Sequence, residues 1–259
     1  MGPGLVLTRH RRIERTNRRL QFNREAGWHE ENDHRGDPGD RPGRGVSAQG
    51  QETKATGYAA TRNYSRWEKE IAEYETSDRN HPPPKGGILF IGSSTVRLWK
   101  TLADDFPNCK VINRGFGGSE IMDSTHFADR LIFPHEPRQI FLRAGGNDLH
   151  AGRIPKEIAA DFADFVRVVH TRLPKTEILF IGLCPAPARW GEADKKRELN
   201  RLVRRMALDM PRVGYVDADT ISLSPDGRAR AELFVTDRLH FSREGYMLLA
   251  ERVRPFLVP

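Results

Sequence analysis

Apolar residues in this chain fall into short solid runs, separated by longer stretches in which they recur every three or four positions. The runs are Ile88 to Ile91, Lys110 to Asn113, Gln139 to Arg143, Glu177 to Ile181 and Gly214 to Val216. Each is bounded by Gly, Asn or Pro, the pattern of strands buried on both faces. Between them lie amphipathic helices. Ile158, Phe162, Phe165, Val166, Val169 and Leu173 share one helical face, and Leu199, Leu202, Val203 and Met206 share another. A last helix starts at Ser242 and carries Tyr246, Leu249 and Val253. Strands alternating with helices at this spacing predict an α/β fold, a parallel sheet covered on both sides.

Ahead of the first strand, Trp67, Ile71 and Tyr74 also recur at helical spacing. Ser65 followed by Glu68 fits a capping box at the start of that helix. The run His81-Pro82-Pro83-Pro84 ends it. Before Tyr64 the pattern fades. Residues 1–56 are rich in Arg, Gly, Asp, Asn and Glu, with almost no periodic apolar positions. Such a stretch cannot bury enough surface to offset chain entropy and is expected to be disordered. The expected division is therefore a polar tail over 1–56, a helix and Pro-rich connector over 57–85, and the α/β domain over 86–259.

Composition agrees. Hydrophobic residues make up 37% of the 259, which is low for one compact domain and fits an exposed tail. The formal charge of +7 is uneven. Arg9, Arg11, Arg12, Arg15, Arg18, Arg19 and Arg24 are opposed only by Glu14 before Glu25. No basic face with interleaved aromatics accompanies them, so a solvated arm is expected and not a nucleic-acid partner. Cys109 and Cys184 are too few for a disulfide framework or a metal site, and each is expected as a small packed residue. No run of about 18 apolar residues predicts a membrane span. The opening MGPGLVLTRHRR reverses the order of a signal peptide, so a cytoplasmic location is expected for the sequence as given.

In a parallel sheet the loops at the carboxyl ends of the strands carry the chemistry. The first strand runs into Gly92-Ser93-Ser94-Thr95. Taken alone, a serine there is a helix cap or a phosphate cradle. Alternatively, the Ser94 hydroxyl faces the cleft. The second strand leads to Asn113-Arg114-Gly115-Phe116-Gly117-Gly118, where Gly118 is placed to bring a bare backbone N–H near a substrate. The third strand, central in the predicted sheet, ends in Gly145-Gly146-Asn147-Asp148. The Asn147 amide is a candidate oxyanion donor. Near the C-terminus come Asp237 and His240. On a helical turn that spacing lets Asp237 accept from one ring nitrogen, leaving the other free to take a serine proton. Together these loops supply a nucleophile, a base, an orienting carboxylate and oxyanion donors, the set that acyl transfer requires.

The chain from about Ser65 onward resembles the SGNH hydrolase family, in particular its GDSL-like lipase/acylhydrolase members. The resemblance rests on Ile88 through Ser94, Asn113 through Gly118, Gly145 through Asp148 and Asp237 through His240. It implies a flavodoxin-like three-layer α/β/α sandwich. It also implies Ser94 as nucleophile, His240 as base and Asp237 as its orienting partner. The implied oxyanion hole consists of the Ser94 and Gly118 amides with the Asn147 side chain. Ser93 departs from the family's name motif, which has Asp in that place. Arg189 and Trp190, after the fourth strand, are expected to reach the same edge, Trp190 as a wall of the pocket. The expected activity is hydrolysis of a short-acyl carboxylic ester, such as an acetyl ester on carbohydrate, with no metal or organic cofactor. Two alternatives are an acyltransferase on the same residues and a flavin-binding module using Gly92-Ser93-Ser94-Thr95 with Arg97.

Overall fold

Five strands form one parallel sheet in a computed structural model that describes residues 62–258. The expected disordered tail over 1–56 lies outside the described residues. The strands are β1 (Ile88–Gly92), β2 (Val111–Gly115), β3 (Gln139–Arg143), β4 (Glu177–Ile181) and β5 (Val213–Val216), in the order β2-β1-β3-β4-β5. All four pairings are parallel. The three inner strands are solid apolar runs because both of their faces are covered. On β1, Leu89 and Ile91 join one core while Ile88 and Phe90 join the other.

The helices are α1 (Glu68–Asn80), α2 (Ser94–Arg97), α3 (Leu102–Asp105), α4 (Ile121–His126), α5 (Ala128–Leu131), α6 (Gly146–His150), α7 (Pro155–Arg172), α8 (Ala193–Asp209) and α9 (Arg243–Val253). Ile71 of α1, Ile121 of α4, Phe162 of α7 and Leu199 of α8 pack on one face of the sheet. Val96 of α2, Leu102 of α3 and Leu249 of α9 pack on the other. The result is the predicted three-layer sandwich. β3 is the central strand, as expected.

Three local expectations differ from what forms. Ser65 does not build a capping box. Asn63 takes that place, its Oδ1 accepting from the Ser65 amide at 3.0 Å and the Ser65 hydroxyl at 2.6 Å. A turn of 3₁₀ helix, Tyr64–Trp67, then leads into α1. The second strand begins at Val111 and runs on to Gly115. It lies at the sheet edge, which is why Val111 and Asn113 are only half-buried. The segment holding Asp237 and His240 is not a helical turn. It is a bend closed by an antiparallel bridge between Phe234 and Phe241, with Arg238 at a φ of 58°. The next helix is capped by Ser242, as its expected start requires.

Candidate active site

The turn after β1 sets the first group. Gly92 sits at a φ of +137°, and a Cβ there would fall 2.1 Å from the Arg143 carbonyl oxygen. Only glycine permits this close crossing between β1 and β3. The Ser93 amide then donates to Arg143 O at 3.1 Å, and Ser94 becomes the first residue of α2. Ser93, where the family motif has Asp, is the cap residue and makes no side-chain capping bond.

The bend between the Phe234–Phe241 bridge supplies the next two groups. Asp237 Oδ1 accepts from the Leu239 and His240 amides, each at 2.9 Å. Asp237 Oδ2 accepts from His240 Nδ1 at 2.6 Å. A carboxylate only accepts, so Nδ1 carries the proton and Nε2 is left as an acceptor. Nε2 lies 2.9 Å from Ser94 Oγ, across 146 residues of sequence. These hydrogen bonds, the His240 amide foremost, hold the Asp237 carboxyl down to about 2 although the residue is exposed.

The donors come from the loops after β2 and β3. Gly118 adopts a φ of +71°, a left-handed conformation that favours glycine. Among the described residues, neither the Ser94 nor the Gly118 amide is given to a protein acceptor. Asn147 Nδ2 donates one hydrogen to Ser119 O at 2.9 Å, and its other hydrogen remains. Arg189 Nη1 donates to Asn147 Oδ1 at 3.1 Å and so fixes which way the amide faces.

Residues before β1 also hold this site. Trp67 Nε1 donates to Gly117 O at 2.8 Å. On α1, Glu70 accepts from the Gly117 amide at 3.2 Å, and the Tyr74 hydroxyl donates to Gly115 O at 2.6 Å. The loop carrying Gly118 is thus clamped by three side chains from Trp67 to Tyr74. The spacing of Trp67, Ile71 and Tyr74 marks a packing face in the sequence, but nothing there singles out Glu70 or indicates which loop would be gripped.

Two cavities meet at these groups, sharing Ser94, Asn147, Arg189, Leu239 and His240. One is small, about 70 Å³, and runs toward Arg143, Cys184 and Lys196. The other is an open cleft of about 470 Å³ bordered by Arg66, Trp67, Glu70, Arg97 and Gly118. Ser94, Gly118, Asn147, Asp237, His240 and Arg189 therefore lie together around these cavities. Trp190 does not join them. It is 44% exposed and lines neither cavity, because the 3₁₀ turn Pro187–Glu192 directs Arg189 inward in its place. Arg143 and Lys196 were missed. A faint signal existed for Lys196, which shares helical spacing with the buried Leu199, Asn200 and Val203. Among the described residues, no group of three or more His, Cys, Asp or Glu is placed to hold a metal ion.

A hydroxyl, an imidazole and a carboxylate hydrogen-bonded in series at the carboxyl edge of a parallel sheet form the arrangement of a serine hydrolase. Sequence comparison places the molecule more narrowly: residues 91–248 match the GDSL-like Lipase/Acylhydrolase family, and the chain belongs to it. It is an ester-bond hydrolase of the SGNH type. It is 26% identical over 184 residues to human platelet-activating factor acetylhydrolase IB subunit alpha1, a match covering 66% of this chain and 75% of that protein. Among solved structures, it resembles a Streptococcus pneumonia protein provisionally named a platelet activating factor. That match has a TM-score of 0.67 and 21% identity, covering 82% of this chain and 100% of that one. It also resembles a catalytic mutant of an acetylxylan esterase from Geobacillus stearothermophilus. There the TM-score is 0.52 and the identity 17%, covering 68% of this chain and 96% of the other. At these identities the solved structures speak to the fold. Among the described residues no helix is long and apolar enough to cross a membrane.

Proposed function

We infer that the chain hydrolyses short-acyl carboxylic esters through a Ser94–His240–Asp237 relay and an acyl-enzyme intermediate. One observation carries this reading: His240 is bonded to Asp237 through Nδ1 at 2.6 Å and to Ser94 Oγ through Nε2 at 2.9 Å. His240 takes the hydroxyl proton as Ser94 Oγ attacks the ester carbonyl carbon. The tetrahedral oxygen receives hydrogen bonds from the Ser94 and Gly118 amides and the Asn147 side chain. Loss of one such donor costs about 2.7–4 kcal/mol of transition-state stabilisation. The C–O bond to the alcohol then breaks, and His240 gives its proton to the departing oxygen. Water, activated by the same imidazole, releases the acid and restores Ser94.

The unequal cavities support a small acyl group. The smaller one has room for a few atoms, whereas the larger cleft accepts a larger alcohol such as a sugar. The names of two similar proteins, an acetylhydrolase and an acetylxylan esterase, agree with a short acyl chain. Ser94→Ala is expected to abolish turnover of p-nitrophenyl acetate by folded protein. Turnover that survives the substitution would remove Ser94 from the mechanism.

A further inference from the structure

Two cations line the smaller cavity with no ion-pair partner among the described residues. Arg143 ends β3 and Lys196 lies on α8, and each is only 5% exposed. Among the described residues neither forms an ion pair within 4.0 Å. Arg143 Nη1 donates to Gly182 O, and its Nη2 reaches Cys184 Sγ at 3.5 Å. Its Nε is buried with no hydrogen-bond partner. Lys196 Nζ has one long contact, to Cys184 O at 3.5 Å. Arg189 adds a third cation to the same wall. The nearby acid, Glu192, directs its Oε1 to His150 Nδ1 at 2.7 Å instead. Burial pulls the Lys196 ammonium below its usual range, Cys184 and Glu192 oppose that fall, and Arg143 and Arg189 add to it. A buried cation left uncompensated is costly, and an incoming anion removes that cost.

We propose that this cavity binds a carboxylate carried by the acyl part of the substrate, so that the enzyme prefers half-esters of short dicarboxylic acids. The inference rests on the Ser94–His240 reading. It assigns the smaller cavity to the acyl group because the alcohol needs the larger cleft. Ser94 Oγ bonds to the ester carbonyl carbon and the alcohol leaves with the His240 proton. The far carboxylate of the acyl-enzyme then lies against Lys196 and Arg143. Water cleaves the acyl–Oγ bond, freeing the dicarboxylate and returning the proton to Ser94.

The test compares kcat/KM for monoethyl succinate with that for ethyl 4-methylpentanoate, its neutral isostere, using p-nitrophenyl acetate as control. Wild type is expected to favour the half-succinate by about tenfold or more, the scale of a hydrogen bond to a charged group. Lys196→Met should collapse that ratio, whereas a merely structural lysine would lower both esters alike. A wild-type ratio at or below one overturns the proposal, and so does a parallel fall in the variant. A charge preference seen only on the alcohol side, acetoxyacetate over isobutyl acetate, overturns it too. If p-nitrophenyl acetate itself is not hydrolysed, the Ser94–His240 reading fails and the subsite with it. Turnover without charge preference removes the subsite alone.

Discussion

Asp237 and Asp148 show how differently one side chain behaves in two settings. Asp237 is exposed, yet three hydrogen bonds from Leu239 and His240 keep its carboxyl near 2. It therefore stays ionised, and able to accept from His240 Nδ1, throughout the range above about pH 4. Asp237→Asn removes the acceptor that fixes the tautomer. It should lower kcat/KM by about 10²–10⁴-fold with folding retained, the upper end being the loss known for a triad aspartate. A steady-state assay giving less than about a threefold loss would mean that His240 needs no orienting partner.

Asp148 lies next to Asn147 and is fully buried. Desolvation, with Glu120 adding repulsion against the help of Arg153 and the Ile121 amide, pushes its carboxyl up to about 7. The folded value stands above the ordinary ~4 of a free carboxyl. The native state thus keeps a proton that the unfolded chain releases, and this group's contribution to stability declines as pH rises from about 4 to 7. Asp148→Asn should therefore gain stability relative to wild type across that window in urea unfolding. A difference independent of pH would contradict the assignment. In the sequence Asp148 was only the last letter of a block. Its burial depends on α4 closing over it, and residue type cannot convey that.

Among the elements, the strands and long helices were legible because their apolar spacing is also their packing. β3 and β4 occur with the expected ends. β2 was less so, since an edge strand mixes buried with half-exposed positions. The spacing of three at Asp237–His240 fits a helical turn and a bend alike, and only the Phe234–Phe241 bridge distinguishes them. The N-terminal helix matters most here. It precedes the family match over 91–248, yet its Glu70 and Tyr74, with Trp67 just ahead, grip the loop that carries Gly118. Trp67→Phe keeps the apolar contact and deletes the hydrogen bond to Gly117. It should cost about 1–2 kcal/mol in chemical denaturation. It should also lower kcat more than it changes KM if the Gly118 amide is the oxyanion donor proposed above. Unchanged kcat in a destabilised variant would confine Trp67 to packing.

For the whole molecule, the site is a product of topology. Ser94, Gly118, Asn147 and His240 leave different elements and meet only because parallel strands present their carboxyl ends on one edge. That convergence was legible from the sequence, since a parallel sheet leaves its loops nowhere else to go. The cationic wall was not. Arg143 ends a solid apolar run, and Lys196 sits in a run of charged residues, Asp194 to Glu198, whose inward member only the helix register reveals. The central claim is that Ser94 is singled out from the other serines by His240. Labelling with a fluorophosphonate, followed by peptide mass analysis, tests it most directly. One adduct is expected, on Ser94, disappearing in His240→Ala. An adduct on another residue, or an active enzyme that resists the reagent, would contradict the account.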